Sequence, residues 1–339
     1  LGAGGGGFLL YFDAESKAIK AYDFRERAPF KATERMFVSK KNKPLPFFYK
    51  DVFVPKASLN GPLSVGTPGL IAGLWEVHQK HGKLSWKELV EPAALVAEKG
   101  FKIDGILGAA FKRREKILAQ FEGSRKVFFK NGRVLKKGDI LVQKDLAKTL
   151  RTIANQGKDG FYKGEVAKAL LKTVSKGGIL TQQDFDEYKV KEHLPVHVTY
   201  KSYRVASMPP PSSGGIHIAQ ILNILESDNL AEYGAGSPEA VHLVAEAMRR
   251  AYRDRASFLG DPDFFDVPMK RLTSKVYARD LRKGIHPRKA FQVEPHDYAS
   301  YYEESESTTH FSLVDFEGNA VSSTQTINYS FGSCVVAEG

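Results

Sequence analysis

Cysteine is almost absent from the 339-residue sequence, in which Cys334 is the only one. A single thiol excludes an internal disulfide framework and any zinc or iron–sulfur site built from several cysteines. Long apolar runs are also missing, since no stretch approaches the ~20 uninterrupted apolar residues of a transmembrane helix. A chain of this length still buries a sizeable core without such supports, and we expect one large domain or two.

Acidic residues are outnumbered, with 39 Asp and Glu against 50 Lys and Arg and a formal charge of +11. The basic residues are scattered in short clusters, such as Lys112-Arg113-Arg114, and no nucleic-acid-binding motif accompanies them. We therefore predict a solvated basic surface and no nucleic-acid partner. Metal patterns are lacking too: His78 and His81 have no acidic or thiolate partner at the spacing of a closed site, so no metal or cofactor is predicted.

Strand patterns lie at both ends of the sequence. Residues 8–12 and 18–24 resemble a hairpin that delivers Arg25 to the end of its second strand. Residues 310–314 and 320–327 resemble a second hairpin, joined by a polar turn. We expect a further strand over residues 196–205.

Helical patterns dominate the middle of the sequence. Thr67-Pro68 predicts a helix start and Gly82 its end, and Ser85-Trp-Lys-Glu88 is a capping box. Residues 101–140 look less regular. Strand pairs at both ends with helices between them fit one large layered α/β or α+β domain better than two separate domains.

The glycine run Gly4-Gly-Gly-Gly7 is not a dinucleotide fingerprint. Such a fingerprint needs a strand before the glycines and a helix after them, whereas here a strand follows. We expect instead a backbone packed too tightly for side chains.

The segment Thr308-Thr309-His310 lies where an acidic, polar stretch ends and a strand begins. Taken alone, it is a hydroxyl-rich strand. If the chain is cut before a threonine, however, that residue gains an α-amine with a pKa of about 7.7–8.0. The amine then serves as general base for its own hydroxyl, which becomes a nucleophile.

At these residues the sequence resembles the γ-glutamyltranspeptidase (glutathione hydrolase) family of N-terminal-nucleophile hydrolases. The resemblance covers essentially the whole chain and rests on motifs in a fixed order. They are Gly4-Gly-Gly-Gly-Phe8, Asp23-Phe-Arg-Glu-Arg-Ala-Pro29, Val65-Gly-Thr-Pro-Gly69, Met208-Pro-Pro-Pro-Ser-Ser-Gly-Gly215, Leu259-Gly-Asp-Pro-Asp-Phe264, Thr308-Thr-His-Phe-Ser312 and Gly318-Asn-Ala-Val321.

The resemblance implies an αββα sandwich of class α+β, truncated here at both ends. It implies a zymogen that cleaves itself between Ser307 and Thr308. Residues 1–307 would then belong to a large subunit and residues 308–339 to the start of a small one, the two forming a heterodimer. Family members are exported, so the resemblance implies a periplasmic or secreted protein.

The resemblance also implies the chemistry of the site. Thr308 would take up the γ-glutamyl group of glutathione as an ester and pass it to water, an amino acid or a peptide. Thr326 would orient Thr308, Arg25 would bind the substrate α-carboxylate, and Asn328 would contact the same end of the substrate. The oxyanion donors, the acidic residues for the substrate amine and a pair of serines would lie beyond Gly339.

Other interpretations stay open at this point. A cephalosporin-type acylase or a poly-γ-glutamate-processing enzyme would use the same fold, and a non-catalytic homologue would have no need for Thr308, Thr326 and Arg25. Taken alone, Arg25 could instead form a salt bridge with Asp23 or Glu26.

Overall fold

A computed structural model describes residues 2–38, 47–49, 52–54, 56–291 and 308–337. The strands are β1 (Gly6–Phe12), β2 (Ile19–Asp23), β3 (Phe47–Tyr49), β4 (Val52–Val54), β5 (Phe101–Lys102), β6 (Phe129–Lys130), β7 (Arg133–Val134), β8 (Ile140–Leu141), β9 (Lys191–His193), β10 (Val196–Tyr200), β11 (Tyr203–Ser207), β12 (Thr308–Val314) and β13 (Ala320–Thr326).

In the sequence, the described helices all follow β4 and precede β12. They are α1 (Leu70–His81), α2 (Trp86–Lys99), α3 (Gly105–Leu118), α4 (Glu122–Phe128), α5 (Lys144–Gln156), α6 (Asp159–Tyr162), α7 (Gly164–Val174), α8 (Gln182–Asp186), α9 (Gly214–Leu225), α10 (Leu230–Tyr233), α11 (Pro238–Phe258), α12 (Met269–Leu272) and α13 (Lys275–Lys283). None of the helices in the described part of the chain is long and apolar enough to cross a membrane.

The largest sheet joins both ends of the chain. Its strand order is β12-β13-β1-β2-β9, and every neighbouring pair is antiparallel. The two predicted hairpins are therefore confirmed, and β1 and β13 pair side by side at the centre of the sheet. The class is mixed α+β, as predicted.

Helix α1 covers one face of this sheet. Leu9, Tyr22 and Phe24 are buried in a cluster with Leu70. At Gly73 the helix comes so close that an added methyl group would overlap the Phe24 ring. We call this side the covered face and the opposite side the open face.

The tight packing predicted for the glycine run is confirmed at Gly5, Gly6 and Gly7 but is wrong at Gly4, where an added methyl group would meet no atom within 4 Å. A methyl group on Gly6, for example, would lie 2.6 Å from the carbonyl oxygen of Phe24. Gly5 also accepts hydrogen bonds from the backbone N–H groups of Gly69 and Leu70 at 3.0 and 2.9 Å. The run thus ties the sheet to the start of α1 through the backbone.

Three local predictions were wrong. Helix α1 begins at Leu70 and not at Thr67-Pro68, because Thr67 forms an isolated backbone bridge with Arg27. Residues 101–140 contain the helices α3 and α4. The strand expected over residues 196–205 is the hairpin β10–β11, whose turn includes Lys201 at a φ of 52°.

Candidate active site

One row across the large sheet brings the predicted nucleophile near the predicted carboxylate clamp. Thr308, the first residue of β12, lies opposite Thr326, and Thr326 lies opposite Gly6. Gly6 is in turn against Arg25, since a methyl group on Gly6 would lie 2.9 Å from Arg25 Cα. We call these four residues the Thr308 row.

The Thr308 row faces the open side of the sheet. Directly opposed residues of an antiparallel pair share a face, and successive residues of a strand alternate between faces. Leu9 packs on the covered face, so Gly6, three residues earlier, faces the other way together with Thr326 and Thr308. Thr308 is exposed there, and Thr326 is half-buried.

Thr326 fixes the backbone of Asn328. The Thr326 hydroxyl oxygen accepts a hydrogen bond from the Asn328 backbone N–H at 2.9 Å. Asn328 has a φ of 66°, a left-handed conformation that asparagine tolerates better than most residues. Because this contact uses only an acceptor site, the hydroxyl proton of Thr326 stays available as a donor. No hydrogen bond among the described residues joins Thr326 to the Thr308 hydroxyl.

The backbone of Arg25 is held on both sides. The Asp23 carboxylate accepts a hydrogen bond from the Arg25 N–H at 2.9 Å, and the Tyr188 hydroxyl donates to the Arg25 carbonyl at 2.7 Å. Asp23 and Tyr188 are buried, so these contacts are shielded from water. They fix the position from which the arginine side chain starts.

The guanidinium of Arg25 has no hydrogen-bond partner in the part of the chain that the structure describes. It is exposed, and its central carbon lies 5.6 Å from the centre of the Phe8 ring. Among the described residues it forms no ion pair, so the salt bridge with Asp23 or Glu26 that the sequence allowed is not formed. A planar, uncommitted guanidinium on an apolar ring is well suited to bind a carboxylate through two hydrogen bonds.

Two carboxyl groups beside Arg25 have raised pKa values. Burial is the main cause for both Asp23 and Glu26, and it outweighs the Arg25 charge, which lowers the pKa of each. Glu26 lines a cavity of about 320 Å³ together with Arg25, and also a second cavity of about 250 Å³ together with Asn328. It therefore borders both cavities, each of which also contains one of the two residues predicted to bind the substrate.

Glu26 lies within the motif of residues 23–29, but the sequence pattern did not identify it as a functional residue. No local sequence pattern identified Tyr188 either. The burial of Glu26 depends on distant segments: a methyl group on Gly66, for example, would lie 3.2 Å from Glu26 Cβ. Ser307, the other side of the predicted cleavage point, lies outside the described residues. Within the described ranges, no group of three His, Cys, Asp or Glu side chains could hold a metal ion.

Comparison with known proteins gives a consistent result. The sequence profile of the family described as γ-glutamyltranspeptidase matches residues 1–339. The glutathione hydrolase proenzyme of Escherichia coli (strain K12) is 43% identical over 339 aligned residues, which cover 98% of this chain and 56% of that protein. The acylase ACY 1 proenzyme of Pseudomonas sp. (strain SE83) is 38% identical over 82% of this chain and 50% of that protein.

Structural comparison agrees with the sequence match. The crystal structure of Helicobacter pylori γ-glutamyltranspeptidase superposes with a TM-score of 0.81 and 38% identity, covering 90% of this chain and 85% of that one. The chain spans about half the length of the curated relatives it matches. Its fold is that of the N-terminal-nucleophile hydrolases, and the chain belongs to the γ-glutamyltranspeptidase family.

Proposed function

We propose that this protein is a γ-glutamyltransferase and glutathione hydrolase with Thr308 as its nucleophile. The observation that carries the proposal is the Thr308 row, in which an exposed threonine begins an edge strand on the sheet row that also holds Arg25. In this proposal the protein is made as a precursor and is cut between Ser307 and Thr308.

The cut requires no second enzyme. The Thr308 hydroxyl attacks the carbonyl carbon of Ser307, and the peptide C–N bond between them breaks as the nitrogen takes up a proton. The product is an ester between Ser307 and the Thr308 oxygen. Water then hydrolyses this ester, which leaves a carboxylate on Ser307 and a free hydroxyl and α-amine on Thr308.

The new α-amine supplies the base for catalysis. It accepts the hydroxyl proton as the Thr308 oxygen attacks the γ-carbonyl of glutathione, and the proton then passes to the departing amine, cysteinylglycine. The γ-glutamyl ester on Thr308 is next attacked by water, or by the amine of an amino acid or peptide. The Thr326 hydroxyl, already bound to the Asn328 N–H, is left with a proton to donate to the Thr308 oxygen.

The spacing of the Thr308 row supports the proposed binding roles. Three inter-strand steps of about 4.8 Å separate the backbones of Thr308 and Arg25. An extended arginine side chain and the five-carbon γ-glutamyl group together bridge such a gap. Arg25 is thus proposed to bind the α-carboxylate while the γ-carbonyl lies at Thr308, with Asn328 contacting the amino-acid end.

The proposal includes a heterodimer of the two cleavage products. β13 lies between β12 and β1 in the sheet, so backbone hydrogen bonds hold residues 308–326 to residues 6–12 after the cut. It also includes export to the periplasm or secretion, which rests on the family alone. Cell fractionation tests the location.

Replacing Thr308 tests the function. In the full-length protein, Thr308→Ala should leave a single uncut polypeptide and abolish release of a chromogenic amine from a γ-glutamyl anilide, because no hydroxyl remains to attack. Thr308→Ser keeps a hydroxyl and should retain both cleavage and measurable turnover. Mass spectrometry of the wild type should find a polypeptide that begins at Thr308. Normal cleavage or turnover by Thr308→Ala would refute the proposal.

A second candidate is an acylase of the same fold, favoured by the similarity to the Pseudomonas acylase proenzyme. A glutaryl amide keeps the carboxylate of a γ-glutamyl substrate but lacks its amine. Faster turnover of the glutaryl amide than of glutathione would favour the acylase. Rapid shortening of poly-γ-glutamate would favour the polymer-processing alternative.

A further inference from the structure

A histidine beside the Thr308 row connects β12, which carries the predicted nucleophile, to β13, which carries Thr326. His310 Nδ1 lies 2.7 Å from the hydroxyl oxygen of Thr324 on β13. Its Nε2 lies 3.3 Å from the Ser312 hydroxyl on its own strand and 3.3 Å from the Ser322 hydroxyl on β13. One imidazole thus contacts three hydroxyl groups on two strands.

His310 lies on the same face as Thr308, two residues further along β12. The register confirms this, since His310 lies opposite Thr324 and Thr308 lies opposite Thr326. On this face, His310 and Thr324 therefore lie one row from the nucleophile, and Ser312 and Ser322 lie two rows from it. All of them lie on the open face of the sheet.

Burial alone specifies the register of β12 only weakly. β12 is an edge strand, and each of its residues is exposed except Phe311, which is half-buried. A shift of one residue would turn Thr308 to the covered face, because side chains alternate. The turn at residues 315–319 fixes the other end of the hairpin, where Val314 lies opposite Ala320.

We propose that His310 is a positioning residue that fastens β12 to β13 and holds Thr308 opposite Thr326. The inference rests on the proposed function, because it requires Thr308 to be the nucleophile. A neutral imidazole has one donor and one acceptor nitrogen, and hydroxyl groups fill either role. The contacts therefore form with either tautomer of His310.

Substitution of His310 in the full-length protein tests this role. His310→Ala should slow self-cleavage and lower kcat of the matured enzyme by at least about tenfold, since small displacements of a reacting group cost up to ~10²-fold. KM for a γ-glutamyl anilide should change less than twofold, because no substrate contact is lost. His310→Asn, which places an amide near the position of Nδ1, should recover most of the rate.

Thr324→Val provides an independent test, since it keeps the side-chain shape but removes the hydroxyl that contacts Nδ1. It should slow cleavage as His310→Ala does, and the double variant should be no slower than either single variant. Leu313→Ala is the matched control, because Leu313 is an exposed residue on the other face of β12. It should cleave and react at the wild-type rate.

The outcomes separate this inference from the proposed function. Wild-type rates for both His310→Ala and Thr324→Val, with Thr308→Ala inactive, would overturn the positioning role and leave the function intact. Full activity of Thr308→Ala would overturn the function itself. If His310→Ala does not fold, as judged by circular dichroism, Thr324→Val alone decides: slowed cleavage supports the role, and wild-type cleavage overturns it.

Discussion

Arg25 is available to a ligand because the groups that fix its backbone are not the groups that contact its side chain. Asp23 and Tyr188 bind its N–H and carbonyl, while the guanidinium lies over the Phe8 ring. For the proposed binding of a substrate carboxylate, the rigid backbone would limit the entropy that is lost. A guanidinium outside an ion pair can bind the carboxylate of a ligand. The surface salt bridge that it could form instead would contribute little to stability.

Arg25→Lys should lower kcat/KM for a γ-glutamyl anilide by about 10- to 100-fold, because an ammonium cannot form the paired hydrogen bonds of a guanidinium. The penalty should vanish with a 4-aminobutyryl anilide, which lacks the α-carboxylate. Arg27→Lys is the matched control, since Arg27 is also exposed and its guanidinium donates to the Glu187 carbonyl at 3.3 Å. An equal penalty for both substrates would contradict the role assigned to Arg25.

At the scale of elements, the sheet and α1 are joined by an aromatic contact at the end of the helix. His81, the last residue of α1, stacks on Tyr11 with ring centres 3.9 Å apart. Its Nε2 lies 2.8 Å from the Tyr22 hydroxyl oxygen. Burial raises the pKa of Tyr22 to about 12. Burial first, and then the charges of Lys20 and Lys80, lower the pKa of His81.

This contact should weaken in acid. The pKa of His81 is lower in the folded state than its value of about 6.5 in the unfolded chain, so protons bind the unfolded state more readily. The stabilising contribution of neutral His81 is therefore fully present above about pH 6.5. It is lost as the pH falls through the lower pKa that His81 has in the folded state. His81→Gln should make Tm less dependent on pH between 7.5 and 5.5 than in the wild type.

Curves of Tm against pH that run parallel for the wild type and His81→Gln would contradict this account.

The strands that carry the Thr308 row were predictable because the sequence patterns that mark them are local. Alternating side chains and a polar turn are enough to mark β12 and β13, and the capping box at Ser85 marks the start of α2. The start of α1 was not predictable, because Thr67 pairs with Arg27 from a distant segment. The candidate residues Thr308, Thr326, Arg25 and Asn328 were predicted from the family resemblance. The burial of Glu26 and the hydrogen bond from Tyr188 to the Arg25 carbonyl were not, because both depend on tertiary contacts.

At the scale of the molecule, the segment after β13 is anchored to the helices α3 and α4. Phe331 stacks on Phe111 of α3 with ring centres 4.7 Å apart, and the Ser124 hydroxyl of α4 donates to the Cys334 carbonyl at 2.6 Å. Cys334 is only 1% exposed and belongs to the hydrophobic cluster of α3 and α4. The position of Asn328 is thus fixed by Thr326 on one side and by a helical cluster on the other.

The alkylation rate of the Cys334 thiol should show whether the segment after β13 is packed against α3 and α4. Burial raises the pKa of the thiol, which outweighs the lowering effect of Arg114, so both access and thiolate formation are suppressed. In the native full-length protein, the peptide that contains Cys334 should be alkylated at least ~100-fold more slowly than in urea. Peptide mapping by mass spectrometry measures both rates. Equal rates would show that the segment does not pack between α3 and α4.

The placement of Thr308 at the first position of an edge strand has a consequence for assembly. Within the described ranges the pairing of β12 with β13 starts at Thr308, so a cut before this residue breaks none of the described β-pairs. The polypeptide on the far side of the cut remains an integral part of the sheet through β13 and β1. We therefore expect two separately synthesised fragments that meet at this point to associate through the pairing of β13 with β1.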